Sequence, residues 1–501
     1  MSKRNKIGFW LGIPLFLIVL YFPFSESLSP EAHRTLAVAA LMACWWITEA
    51  IPIPATALIP VVAFPALKIL PTTKVVAAYA DSNIFLFLGG FLLAITMQRW
   101  ELHRRIALHI IRKIGLSPGR LILGFMIATA FLSMWISNTA TTMMMIPIVT
   151  SIIYELEDTL GKKTISRYAL GLLLGIAYSA SIGGNATLVG TPTNLVCVRL
   201  LSVLYPEAPE ISFARWFIFA VPVTIIMFAA AYALLLYLFK PKEKWDNLSD
   251  QTFHVQMKEL GKVSYEEKAV FALFLSLAFL WISRAGIDFG SFKIPGWAEL
   301  FQVPGYINDG TTAIFIALLL FIVPAKSEKH ARLMNWTTAK RLPWNIVLLF
   351  GGGFALAAGF EDSGLSLWFG EQLQWGDNIP PYVFVISIVA MMSLLTELTS
   401  NVASTQMLLP AFASIAVATG DNPLLFMIPA TISSSLAFML PTATPSNAII
   451  FGTERVTINR MMRTGFRLNI LGIIIITLIT YLLIGNIFDV ELGVVPEWAQ
   501  P

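Results

Sequence analysis

Cysteine is almost absent from this chain, at 2 of 501 residues, and both Cys44 and Cys197 lie in apolar sequence. A disulfide framework is therefore excluded, and each thiol reads as an inert packing residue. Histidine is nearly as scarce. His33, His103, His109, His254 and His330 show no metal-ligand spacing, which removes the usual zinc sites. Charged residues make up 13% of the chain, about half the ~25% of an ordinary soluble protein. A formal net charge of +4 offers no basic surface for nucleic acid. No acid, base and nucleophile set is apparent either, so no enzyme is expected.

Apolar sequence is what the chain has in quantity, at 56%. Runs of this length belong in a membrane, where a helix satisfies its own backbone groups. Lys3, Arg4 and Lys6 precede an apolar run over 7–24 with no small-residue cleavage site, which predicts an uncleaved first span. Further runs cover 35–51, 55–70, 84–100, 213–240, 270–281, 311–323, 344–360 and 468–487. A Lys-rich connector at 240–268 separates two halves. Basic residues gather between spans at 99–120, 162–167, 326–341 and 455–467, while Glu361, Asp362, Glu371 and Asp377 fall on the other side. By the positive-inside rule the N-terminus is expected in the cytoplasm and the C-terminus outside, in the plasma (inner) membrane.

Two stretches interrupt this pattern. S-M-W-I-S-N-T-A-T-T-M-M-M-I-P at 133–147 places Ser137, Asn138 and Thr139 in apolar surroundings, and T-E-L-T-S-N-V-A-S-T-Q-M-L-L-P at 396–410 does the same with Ser400, Asn401 and Val402. The offset is 263 residues throughout (137 to 400, 138 to 401, 147 to 410), and Gly90-Phe91 returns as Gly353-Phe354 at that offset. Residues 121–153 would make a helix of ~45 Å, longer than a ~30 Å hydrocarbon core, so a re-entrant hairpin fits better. G-G-N-A-T-L-V-G-T-P-T-N at 183–194 and S-S-L-A-F-M-L-P-T-A-T-P-S-N at 434–447 read as helices unwound in the middle. Together these give an all-α polytopic membrane protein with about eleven transmembrane helices and two re-entrant hairpins. If each repeat holds an odd number of spans, the halves insert upside down relative to each other, as in secondary transporters.

The two tips and two unwound segments offer hydroxyls, amides and freed carbonyls, but no Lys, Arg or His. Hard oxygens suit a small cation such as Na⁺, and helix N-termini suit an anion, so ion-coupled anion uptake is the expected activity. Small polar residues also serve helix packing, and the in-register duplication is what favours a ligand site. Glu397 beside the second tip reads as positioning that hairpin or tuning a cation site. Glu49 reads as structural near a helix end, Trp45-Trp46 as an apolar or interfacial anchor, and Gly351-Gly352-Gly353 as a close-packing stretch.

W-W-I-T-E-A-I-P-I-P at 45–54, S-N-T at 137–139, T-E-L-T-S-N-V at 396–402 and F-M-L-P-T-A-T-P-S-N-A-I-I-F at 438–451 carry a resemblance to the divalent anion/sodium symporter family (DASS, solute carrier family 13). It extends over essentially the whole chain. The resemblance implies homodimers in lipid, with an elevator motion of a transport part (116–240 and 379–501) against a scaffold part (1–115 and 269–378) joined by a connector (241–268). It also implies Ser133, Ser137, Asn138 and Gly190 at a first Na⁺ site, and Thr396, Thr399, Asn401 and Ala443 at a second. Substrate carboxylates would meet Asn138, Thr139, Ser400, Asn401, Thr444 and Pro445, with Val402 standing where a second S-N-T would carry Thr. The expected function is Na⁺-coupled uptake of C4 dicarboxylates such as succinate, fumarate and malate. The alternative is an Na⁺-independent dicarboxylate or tricarboxylate exchanger, since some family members exchange.

Overall fold

The computed structural model describes residues 3–22, 27–241, 251–288, 293–327, 331–372 and 380–500. Among them, eight helices are long and apolar enough to cross a membrane, and six shorter apolar helices accompany them. α1 (Lys3–Tyr21) lies along α2 (Pro30–Thr48). Ser29 starts α2 by accepting from the Ala32 N–H, with Pro30 at the first position, where a missing N–H is harmless. Gly8 and Gly12 let the two helices touch, since a Cβ at either would overlap Thr48 or Trp45.

The apolar run at 55–70 departs from expectation. Prolines at 52, 54, 60 and 65 remove donors, and the chain forms only the helical pieces Ile53–Thr56 and Ile59–Ala66. Of the Trp pair, Trp46 is a core residue, 2% exposed, whose Nε1 donates to Ile53 O at 3.2 Å. α3 (Ser82–Arg99) follows, capped by Asp81. The basic segment after it is a helix, α4 (Leu102–Ile114), which buries Leu102, Ala107, Leu108 and Ile111. Its Arg105 is buried and holds Glu267 through Nε to Oε1 at 2.6 Å, tying α4 to the capping box that Ser264 and Glu267 form.

The expected breaks are present. α5 (Pro118–Ser133) stops four residues before α6 (Asn138–Leu160), and α7 (Lys162–Gly184) is separated from α8 (Pro192–Leu204) by an unwound stretch. α9 (Phe213–Phe239), α10 (Tyr265–Arg284), α11 (Asp309–Ile322) and α12 (Trp344–Asp362) lead into the second set. There α13 (Pro381–Leu395) and α14 (Asn401–Ala418) form the second pair, and α15 (Pro423–Ser433) and α16 (Pro445–Phe451) flank the second unwound stretch. α17 (Ile458–Phe488) closes the bundle. Among the described residues the extended structure is confined to a two-residue antiparallel pair, Ile287–Asp288 with Lys293–Ile294, and a single bridge between Pro324 and Arg332. In the connector, Gln251–Leu260 is helical and 242–250 lies outside the described residues, as do Asp377 and the side chain of Glu371.

Packing follows the duplication. α8 rests on α14 and α16 rests on α6, which are equivalent pairs once 138 is matched to 401 and 192 to 445. Each half therefore sets the second piece of its broken helix against the helix that follows the other half's polar tip. Small residues set these distances. A Cβ on Gly183 would stand 2.3 Å from Ala130 O between α7 and α5, and one on Gly352 would stand 2.3 Å from Ala57 O.

Candidate functional site

The first tip is built by an exchange of hydrogen bonds. Ser133 Oγ lies 2.6 Å from Asn138 Oδ1 and 2.8 Å from Ala180 O, while Ser137 caps α6 by accepting from the Ala140 N–H at 3.3 Å. The second tip repeats the two hydroxyl contacts, with Thr396 Oγ1 2.5 Å from Asn401 Oδ1 and 2.6 Å from Ser434 O, but Ser400 makes no side-chain cap on its helix. A hydroxyl has one proton and here faces two oxygens in each half. Both contacts are satisfied when the hydroxyl donates to the carbonyl and the asparagine turns its NH₂ toward the hydroxyl, which leaves the amide oxygen for a third partner.

The unwound segments are held by a matching pair of asparagines. Asn194 Nδ2 donates to Thr187 O at 2.8 Å and more weakly to Asn185 O, seven and nine residues back. Asn447 Nδ2 donates to Leu440 O at 3.0 Å and Ala437 O at 2.9 Å, seven and ten residues back. Buried carbonyls released by unwinding would otherwise lack donors. Residue 190 must be glycine, because a Cβ there would stand 2.4 Å from Gly184 O and 2.9 Å from Ser133 O. Freed carbonyls thus crowd behind the first tip.

Glu397, 2% exposed, pins the second segment. Its carboxylate accepts from the N–H groups of Phe438 at 2.7 Å, Met439 at 2.9 Å and Leu440 at 3.0 Å, and from Asn469 Nδ2 at 3.0 Å. These bonds tie the second tip to the unwound segment and to Asn469 of α17. Its equivalent in the first half is Met134, whose carbonyl accepts from Thr187 Oγ1. Tyr178 of α7 donates to Phe438 O at 3.0 Å and joins the first half to the same segment.

These parts surround one cavity of about 650 Å³. All of the residues expected to meet substrate line it: Asn138, Thr139, Ser400, Asn401, Val402, Thr444 and Pro445. Ser137, Gly190, Thr399 and Ala443 line it too, whereas Ser133 and Thr396 are fully buried one layer behind. Asn138, Pro192, Asn401 and Pro445 are each the first residue of a helix, so four N-termini converge on one space. Their dipoles make it electropositive without a basic side chain at its centre. Ser446, also in the lining, has a buried Oγ with no partner among the described residues.

Sequence reasoning missed the mouth. Arg4 and Asn5 of α1, with Thr48 and Glu49 at the end of α2, complete the lining. Arg4 Nη2 donates to Leu398 O at 3.0 Å, beside the second tip, and also to Ile47 O. Glu49 ends α2 in the left-handed conformation (φ 51°) and is exposed there. Nothing in local sequence places residue 4 beside residue 398. Among the described residues no group of three His, Cys, Asp or Glu could hold a metal ion, and His330 and the side chain of His254 lie outside them.

Comparison with known proteins finds relatives over nearly the whole chain. The sodium-dependent dicarboxylate transporter SdcS of Staphylococcus saprophyticus is 43% identical over 98% of this chain and 95% of its own length. The SdcS protein of Staphylococcus aureus strain RF122 is 43% identical over 98% and 94%. In fold, the chain is similar to the Alcanivorax borkumensis YdaH transporter (TM-score 0.55, 14% identity, 97% of this chain and 98% of that one). It is also similar to Neisseria gonorrhoeae MtrF, described among antimetabolite efflux pumps (TM-score 0.56, 12% identity, 96% and 95%). The family model for the sodium:sulfate symporter transmembrane region matches residues 4–488. With 43% identity across nearly its whole length and that match, the chain belongs to the sodium:sulfate symporter family, the divalent anion/sodium symporters that its tips and broken helices resemble.

Proposed function

We propose that the protein is a secondary transporter that couples Na⁺ entry to uptake of C4 dicarboxylates such as succinate, fumarate and malate. The observation that carries this reading is the convergence of four helix N-termini on a cavity faced by two duplicated S-N tips. One carboxylate meets Asn138 and Thr139, and the other meets Ser400, Asn401, Thr444 and Pro445, with Val402 as an apolar wall. Behind the first tip, Ser133, Ser137, Asn138 and Gly190 offer oxygens to one Na⁺, and behind the second, Thr396, Thr399, Asn401 and Ala443 offer them to another. Oxygen donors of this kind suit a hard monovalent cation. The relatives' names, sodium-dependent dicarboxylate transporters, point to the same substrates.

Coupling follows if the cations complete the anion site, so that empty and fully loaded carriers cross while partly loaded ones do not. In this reading the tips are re-entrant, and the transport part (116–240 and 379–501) moves as an elevator against a scaffold that forms a homodimer. The N-terminus lies in the cytoplasm and the C-terminus outside, in the plasma membrane, which the basic segments support. On this orientation Arg4 and Asn5, which line the cavity, lie on its cytoplasmic side.

The test is uptake of labelled succinate into proteoliposomes. Accumulation in empty vesicles under an inward Na⁺ gradient is expected. If Na⁺ exceeds substrate in charge, an inside-negative potential speeds it, each net charge gaining about 2.3 kcal/mol per 100 mV. Uptake only into vesicles preloaded with dicarboxylate, indifferent to Na⁺, would establish an exchanger instead.

A further inference from the structure

α6 ends and α17 begins at one end of the bundle, where Arg455 and Glu157 pair through both carboxylate oxygens. Next to that matched pair stands an unmatched group. Arg460, Arg463 and Arg467 of α17 follow one another at spacings of three and four, which places them on one face of the helix. Arg167, near the start of α7, faces them across a cavity of about 380 Å³ floored by Leu238 and Phe239 at the end of α9. α7 approaches so closely because residue 171 is glycine, where a Cβ would stand 2.6 Å from Phe239 Cβ. Arg167 Nε donates to Leu238 O at 2.7 Å, which fixes its position at the rim.

All four arginines are exposed, and among the described residues no carboxylate pairs with any of them. Like charges on one face repel, so the arrangement is relieved by an anion that several guanidinium groups share. The floor is apolar, and Tyr237 beside it is 84% exposed, as a side chain at the level of the lipid headgroups would be. A basic pocket between membrane helices, with apolar surface leading away from it, matches a phosphodiester headgroup and its acyl chains.

We propose that Arg167, Arg460, Arg463 and Arg467 form a binding site for the phosphate headgroup of an anionic phospholipid, which ties α7, α9 and α17 together at the membrane surface. The site is separate from the tip cavity and does not depend on what that cavity transports.

The experiment uses the full-length protein in detergent, titrated with phosphatidylglycerol, phosphatidylcholine or inorganic phosphate. Bound lipid is counted by native mass spectrometry, and the melting temperature is followed alongside. Phosphatidylglycerol is expected to bind and raise the melting temperature where phosphatidylcholine and inorganic phosphate do not. In Arg460→Gln/Arg463→Gln/Arg467→Gln its affinity should fall on the order of 100-fold, from the loss of three charge contacts. Should that variant fail to fold, Arg463→Gln alone should weaken binding by roughly fivefold. Equal binding of the two lipids to the wild type overturns the proposal, as does undiminished binding to a folded variant. Inorganic phosphate reproducing the whole stabilisation overturns the lipid assignment.

Discussion

Asn138 and Asn401 each close a hydrogen-bonded pair with a hydroxyl five residues earlier and present what remains of the amide to the cavity. Removing either amide takes a polar group out of the cavity wall and leaves the hydroxyl behind it only its carbonyl partner, Ala180 O or Ser434 O. Hydrogen bonds to charged groups contribute about 1.5–3 kcal/mol each, so Asn138→Ala and Asn401→Ala should each lower Na⁺-driven succinate uptake about 10- to 100-fold. Initial rates at matched amounts of membrane-inserted protein measure this, and near-normal rates in both variants would remove the proposed site. The tips were legible because small polar residues are conspicuous in apolar sequence. The partners of Glu397 were not, since three are backbone N–H groups more than forty residues downstream and no side chain announces them.

Among the elements, α5 and α7 pack closely enough that Gly183 faces the backbone of Ala130. Gly183→Ala therefore forces backbone apart, because the obstructing atom is a carbonyl and cannot rotate away. It should lower the melting temperature by about 2–6 °C, corresponding to ~1–3 kcal/mol of overpacking, and reduce uptake. Gly452→Ala, whose Cβ would meet nothing closer than 3.4 Å, is the control and should melt like the wild type. The breaks in the helices were readable from Gly, Pro, Thr and Asn clustered inside apolar runs. The helix α4 was not, because its basic residues dominate composition while its four buried apolar positions show only on one face. The run at 55–70 read as a span because hydropathy registers apolar content and is blind to donors lost at proline.

For the whole molecule, the duplication could be counted directly, as an offset of 263 residues. The reciprocal seating of α8 on α14 and of α16 on α6 could not, because an offset does not say which surfaces meet. The same gap hid Arg4, which is the one basic residue in the cavity lining and touches the loop of the second tip. Arg4→Gln should raise the KM for succinate roughly fivefold by weakening attraction of the dianion to the mouth, with insertion unchanged. An unaltered KM with unaltered maximal rate would show that the arginine serves only packing. The mirror between the halves is also broken beneath the second tip, and this bears on how the carrier fills. A carboxylate, Glu397, lies under the second tip where the first has only the carbonyl of Met134. A cation held at the second tip would therefore have a carboxyl group, itself held by four N–H donors, close by, and one held at the first would not. If each tip holds one Na⁺, as proposed above, the two should thus differ in affinity, so that the Na⁺ dependence of uptake has two phases and Glu397→Gln weakens the tighter one. A single unchanged activation curve in that variant would make the two halves equal in spite of their chemistry.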